Sequence, residues 1–283
     1  MAILIDLNQI MISNVMQHLK GNDLYDENLI RHMVLNSLRK YNATYSADYG
    51  RMIICCDSIR YWRRDFFPNY KVHRRADREA SSVDWDCLHA TFDKIKREIK
   101  ENLPYKVIDV PGTEADDVIS VLTKNLHAEG PILIISSDKD FLQLQKYPNV
   151  AQYSPIMKKF ITTDDPVLFL KEHIIRGDKG DGVPNILSDD DSIIEKRRQK
   201  PISTEKVESW VRVQDYRSFC LTENIQKNYK RNEMLIDLDM IPASYENDIM
   251  EAYKTASKNP KNKLLGYFAE HSLRDLLSKI EEF

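Results

Sequence analysis

Acidic residues stand at four places in this sequence where an apolar run stops. Asp6 closes Ile3-Leu4-Ile5, and Asp57 closes Ile53-Ile54-Cys55-Cys56. Glu114, Asp116 and Asp117 follow a third run, residues 105–110, across the turn Pro111-Gly112. Asp138 and Asp140 follow Leu133-Ile134-Ile135-Ser136-Ser137. Each acid alone is also explained as a helix cap or turn residue. Repeated after four strand-like runs, they describe a site. In a parallel sheet every strand ends on the same side, so these carboxylates converge where open α/β sheets bind ligands. Like charges gathered this way are costly unless something offsets them. Oxygen donors with no His or Cys nearby in the sequence suit a hard cation, Mg²⁺ or Mn²⁺, over zinc. Two such ions clamp a phosphate, one side activating water and the other stabilising the leaving oxygen.

Two further segments fit a phosphate substrate. From Arg60 to Arg78, cations interleave with Tyr61, Trp62, Phe66, Phe67 and Tyr70. Cations meet phosphates and aromatic rings stack unpaired bases, although an amphipathic helix with buried aromatics would read similarly. Gly177-Asp178-Lys179-Gly180-Asp181-Gly182 is glycine-rich enough for a backbone to approach a phosphate, and its two aspartates could reach the metals. A surface turn is the plain alternative.

The elements that must position these groups alternate. Strands are expected near residues 2–5, 51–56, 105–110 and 132–135, with helices over 7–20, 27–41, 84–103 and from about 114. Continuous apolar strands between helices predict an α/β parallel-sheet core covered on both faces. Residues 153–162 could add an edge hairpin, and the chain after Asp164 reads mostly helical. Residues 187–204, with Asp189-Asp190-Asp191 and Lys196-Arg197-Arg198, are expected to form a mobile loop or a short helix pair. The apolar positions of 263–283 predict core packing. The expected division is a core at 1–185, including a gripping segment at 58–82, and a helical region at 186–283.

Composition excludes little beyond the membrane. No apolar run reaches the length of a span, and Met-Ala-Ile-Leu-Ile-Asp lacks a signal peptide's basic start. Cys55, Cys56, Cys87 and Cys220 have no metal-ligand spacing and are expected to be reduced core thiols in a cytosol. The formal net charge is −3, with 42% hydrophobic and 30% charged residues. Without the eight carboxylates Asp6, Asp57, Glu114, Asp116, Asp138, Asp140, Asp178 and Asp181, that charge becomes +5, so a polyanionic substrate remains compatible.

Asp6, Asp57, Glu114-Ala115-Asp116-Asp117, Ser137-Asp138-Lys139-Asp140 and Gly177-Asp178-Lys179-Gly180-Asp181, in that order, resemble the 5′-nuclease superfamily of flap endonucleases and polymerase-linked 5′-exonucleases. The likeness extends to its phage ribonuclease H branch through Tyr61-Trp62-Arg63-Arg64-Asp65-Phe66, Lys146-Tyr147-Pro148-Asn149-Val150, Leu235-Ile236-Asp237-Leu238-Asp239 and the terminal Glu282-Phe283. The resemblance implies a structure-specific 5′→3′ nuclease that removes RNA primers and 5′ flaps during replication. Asp6, Asp57, Glu114, Asp116 and Asp138 would hold a first Mg²⁺. Asp140, Asp178 and Asp181 would hold or orient a second, with Mn²⁺ able to substitute. Lys71 and Arg74 would lie in an arch at the scissile region, and Arg63, Arg64, Tyr70, Arg75 and Lys179 would contact nucleic acid. Residues from about 168 to 181 would begin a helix–hairpin–helix element.

Implied partners are DNA and RNA–DNA duplexes with 5′ ends or flaps, a single-strand-binding protein and a sliding clamp. A monomer in a bacterial cytoplasm, the host's for a phage protein, is expected. The family's Gly-Ile-Gly hairpin is missing, since Asn185-Ile186-Leu187-Ser188 stands there. Asp6 also comes sooner than in the phage form, so an N-terminal clamp contact does not carry over. A PIN-like ribonuclease and a metal-binding replication scaffold are the competing readings.

Overall fold

The computed structural model describes residues 1–19 and 26–283. Lys20, the expected end of the first helix, lies outside them. Six strands form one sheet: β1 (Ala2–Asp6), β2 (Arg51–Cys55), β3 (Lys106–Ile108), β4 (Ile132–Ile135), β5 (Val150–Ser154) and β6 (Lys159–Ile161), in the order β3-β2-β1-β4-β5-β6. All neighbouring strands are parallel except β5 and β6, which form an antiparallel edge pair. The edge hairpin is therefore present, but its first strand starts at Val150 and extends the parallel sheet beside β4. Every residue of β1 and β4 is buried, as continuous apolar runs require when helices cover both faces.

Caps written into the sequence start the helices. Asp26 accepts N–H bonds from Asn28 and Leu29 to open α2 (Glu27–Tyr49), and Asp84 accepts from Cys87 to open α5 (Trp85–Asn102). Helix α2 runs to Gly50, well beyond the expected end at 41, and Gly50 stops it at φ +78°. Leu88, Phe92, Ile95 and Ile99 bury one face of α5. With α1 (Leu7–Leu19) and α2, that face covers one side of the sheet through Ile3, Ile5, Ile54 and Ile135. The other side, Leu4, Ile53, Ile108 and Ile134, is covered by α6 (Ala115–Leu126) and a 3-10 segment, Lys139–Lys146.

The C-terminal residues do not stand apart from this core. Ile249 of a helix over Ala243–Thr255 packs with α6, while Leu264, Tyr267, Phe268, Leu276 and Phe283 fill the α2/α5 side. A third core joins the short helix α3 (Trp62–Phe66) and its exit to α7 (Pro166–Arg176), α8 (Thr204–Val211) and α9 (Glu223–Ile236), through Phe67, Tyr70, Ile174, Val207 and Tyr229. Helix α4 (His73–Glu79), which follows α3, has no buried residue. Residues 187–203 contain no helix: turns run to Lys196 and irregular chain follows. Buried side chains pin them: Asn228 donates to the carbonyls of Ile186 and Ser188, and Arg231 pairs with Asp190. Cys55, Cys56 and Cys220 are buried, whereas Cys87 is exposed on α5. Among the described residues, no helix is long and apolar enough to cross a membrane.

Candidate metal and nucleic-acid site

Ile5 lies opposite Ile54 on one side and Ile135 on the other, so Asp6, Asp57 and Asp138 leave the sheet at one edge. Each carboxylate is held. Asp6 accepts from Gln9 N at 3.0 Å and from Ser136 Oγ at 3.1 Å. Asp57 accepts from Ala115 N at 2.7 Å, at the start of α6, and from Asn8 Nδ2 at 2.6 Å. Asp138 accepts from Asp140 N at 2.9 Å. These acids therefore also satisfy helix-start donors, but their number and burial exceed what capping needs. Burial, then the charge of Asp57, lifts the Asp6 carboxyl to about 7. Burial, then Asp138, lifts Asp140 to about 8 and Asp116 well above the carboxylate range. Asp57 and Asp138 are raised chiefly by burial. Carboxyls crowded this closely fit divalent cations, whose charge would restore their ionised forms.

Glu114 differs. It is 3% exposed and receives Arg63 Nη1 at 3.0 Å, Tyr70 OH at 3.2 Å and Lys71 Nζ at 2.6 Å. Burial pushes its carboxyl up, but Lys71 and Arg63 outweigh that and leave it below the usual range. Asp181 takes Arg74 Nη2 at 2.6 Å and Tyr70 OH at 2.7 Å, with Lys71 Nζ at 3.4 Å. The basic segment is thus folded onto the acids. Asp117 closes a capping box on Glu114 and lies 2.7 Å from Arg63 Nη1.

Two expected nucleic-acid contacts are corrected here. Arg63 is 1% exposed and bonds inward to Glu114 and the Leu235 carbonyl, and Tyr70 is 2% exposed. Arg63 is drawn in because α3 turns its Trp62–Arg63 face toward α6 and α9, leaving Arg64 outside, and Tyr70 because the turn after α3 packs it into the third core. Arg64, Arg75 and Lys179 are exposed.

A histidine also stands at the acid cluster. His173, on α7, places Nδ1 3.5 Å from Asp140 Oδ1 and Nε2 3.6 Å from Asp178 Oδ2. One ligand atom each from Asp140, His173 and Asp178 lie within 4.8 Å of one another, and among the described residues no other such group of three forms. A single histidine 33 positions after Asp140 gives no ligand spacing in the sequence. Only the packing of α7 against the 3-10 segment brings it in.

Beside Asp57 opens a cleft of about 420 Å³ lined by Tyr61, Arg64, Lys71, Arg74, Arg78 and Lys96. A second, of about 350 Å³, is lined by Lys179, Lys196, Arg197 and Arg198. An acidic centre at a sheet edge with cationic clefts beside it suits a polyanion.

Residues 3–172 match the family described as 5′-3′ exonuclease, N-terminal resolvase-like domain. The chain belongs to the 5′-3′ exonuclease family. Residues 166–283 match the T4 RNase H C-terminal domain. Among relatives of this exonuclease-family chain, the ribonuclease H of Enterobacteria phage T4 is 36% identical across 99% of this chain and 95% of its own length. A flap endonuclease Xni of Shewanella oneidensis is 31% identical across 44% and 48%. The fold is shared with the bacteriophage T5 D15 flap endonuclease, solved in complex with DNA and metal ions, at TM-score 0.64 and 19% identity over 89% of this chain and 96% of that one. This family membership makes the chain a nuclease.

Proposed function

We propose that this nuclease is a structure-specific, Mg²⁺-dependent 5′ nuclease that removes RNA primers and 5′ flaps, with Mn²⁺ able to substitute. The observation that carries the proposal is the convergence of acids from four strand ends against a cationic cleft. The T4 relative is named a ribonuclease H and the Shewanella one a flap endonuclease, which favours a 5′-ended duplex or flap over unstructured RNA. Asp6, Asp57, Glu114, Asp116 and Asp138 would hold one ion, and Asp140, Asp178 and Asp181 would hold or orient another. When bound, such ions neutralise charge on phosphoryl oxygens and acidify water.

The protein's own residues bind and orient the strand. Lys71 and Arg74 face the cleft from the acid side and would exchange Glu114 and Asp181 for the scissile phosphate. Arg64, Arg75 and Lys179 supply outer phosphate contacts, and Tyr61, half-buried at the cleft wall, offers a ring to a base. Residues 1–185 would act as the catalytic core with an arch at 58–82, and the exposed surface of 186–283 would meet duplex and replication partners, a single-strand-binding protein and a sliding clamp. The setting would be a monomer in the cytoplasm of a bacterial host.

The test is cleavage of three labelled substrates with Mg²⁺ or EDTA: a 5′-flap duplex, a 5′-RNA-primed duplex and an unstructured RNA. Metal-dependent short 5′ products from the first two support the proposal. Preference for unstructured RNA would favour the PIN-like alternative, and metal-stabilised folding without hydrolysis a scaffold.

A further inference from the structure

The metal reading leaves His173 unexplained, and its placement is specific. Helix α7 starts at a capped Asp165-Pro166 and ends at Gly177, where the Gly177 N–H returns to the His173 carbonyl at 2.8 Å. That stop puts His173 one turn before the loop carrying Asp178 and Asp181. Phe169 meets the imidazole edge-on at 6.0 Å between ring centres, and the side chain is 19% exposed. The two ring nitrogens point to different carboxylates, Nδ1 to Asp140 and Nε2 to Asp178. Asp178 is itself fixed, its Oδ1 accepting from Gly180 N at 2.7 Å and Asp181 N at 3.2 Å, so Oδ2 is the oxygen facing His173.

We infer that His173 donates a nitrogen ligand to the second divalent ion, making that position a mixed nitrogen–oxygen site that favours Mn²⁺ over Mg²⁺. The inference rests on the reading of this cluster as a metal centre. Ligand atoms about 2.1 Å from an octahedral ion lie about 3.0 Å apart when adjacent and about 4.2 Å when opposite. The three atoms here, within 4.8 Å of one another, need only small side-chain shifts to reach those separations. Imidazole is a poor partner for Mg²⁺, which takes oxygen and water, and a good one for transition metals.

The experiment is Mn²⁺ titration of the full chain, followed by electron spin-echo envelope modulation of the bound Mn²⁺, in the native protein and in His173→Asn and His173→Gln. The native protein is expected to show ¹⁴N coupling that shifts to a ¹⁵N pattern when histidine is ¹⁵N-labelled. In both variants the coupling disappears, the weaker Mn²⁺ site loses about 10–100-fold in affinity, and competition by Mg²⁺ at that site changes little. Circular dichroism checks that both variants fold. A native Mn²⁺ spectrum without nitrogen coupling, coupling that persists in both variants, or no Mn²⁺ bound would each overturn the inference. Cleavage by a protein whose Mn²⁺ spectrum lacks nitrogen would overturn His173 alone and leave the nuclease reading intact. Nitrogen coupling in a protein that cuts nothing would do the reverse.

Discussion

Lys71 and Asp181 are joined twice. The Lys71 N–H donates to the Asp181 carbonyl at 2.7 Å, and Lys71 Nζ lies 3.4 Å from the Asp181 carboxylate. Lys71 adopts φ +58° to do so, a conformation that costs a non-glycine residue energy and persists where the surroundings enforce it. The basic segment is therefore tied by backbone to the glycine-rich loop, with the ammonium group aimed into the acids. Lys71→Ala should lower the single-turnover cleavage rate by roughly 10²–10³-fold, the usual loss for one charge-stabilising donor, while duplex affinity changes little. Rapid-quench kinetics beside equilibrium binding checks this, and an unchanged rate would remove Lys71 from the reacting centre.

Arg63 should behave as a structural cation. It is buried against Glu114 and Asp117, and removing one partner of a buried ion pair strands the others. Arg63→Met is expected to cost about 3–5 kcal/mol, seen as a lower thermal midpoint. Arg64→Ala and Arg75→Ala should leave the midpoint within about 1 °C, since exposed charges contribute little. Each should instead reduce the slope of log affinity against log salt by roughly 0.9 if it meets a duplex phosphate. A stable Arg63→Met protein would contradict the assignment.

The acid cluster sets a pH dependence with a definite sign. Asp6 and Asp140 are raised from 3.8 to about 7 and about 8 in the folded protein. The folded state therefore holds protons that the unfolded chain releases near pH 4, and this contribution to stability is full below pH 4 and lost as pH rises to 8. Melting without metal should show the midpoint falling across that window. Saturating Mg²⁺ or Mn²⁺, which binds the ionised carboxyls, should flatten the fall. A midpoint that rises toward pH 8 without metal would contradict the crowding of these groups.

The C-terminal helices are expected to be part of the core. Phe268 is fully buried and touches Phe283 at 5.2 Å between ring centres. Phe268→Ala should cost about 3–5 kcal/mol, measured by denaturant unfolding. A loss under 1 kcal/mol would instead mean that this face is dispensable to the fold.

Much of this was legible in the residues. Strands β1 and β4 and all of β2 after Arg51 are apolar runs up to their acids, and the acids at their ends are fixed by chain direction alone. Caps at Asp84 and Glu114 place α5 and α6 to within a residue or two. The departures have a common cause in tertiary contact. Arg63 sits among exposed arginines in a basic run, and nothing local distinguishes the one that turns inward to Glu114. His173 occupies a position on α7 that becomes part of the acid cluster only when that helix packs beside Asp140. The charges of 187–203 give no sign of a tertiary partner, yet Asn228 and Arg231, about forty residues later, bond to Ser188 and Asp190.

The most direct measurement is cleavage of a 5′-flap duplex and a 5′-RNA-primed duplex with Mg²⁺, comparing the native chain with Asp138→Asn, alongside binding of the same substrates. Asp138 stands at the end of the central strand pair, where ions would be held. The expected result is metal-dependent release of short 5′ products by the native protein, and no products from Asp138→Asn at undiminished duplex affinity. Normal turnover by Asp138→Asn, with or without weakened binding, would contradict a metal-dependent nuclease centred on these strand ends.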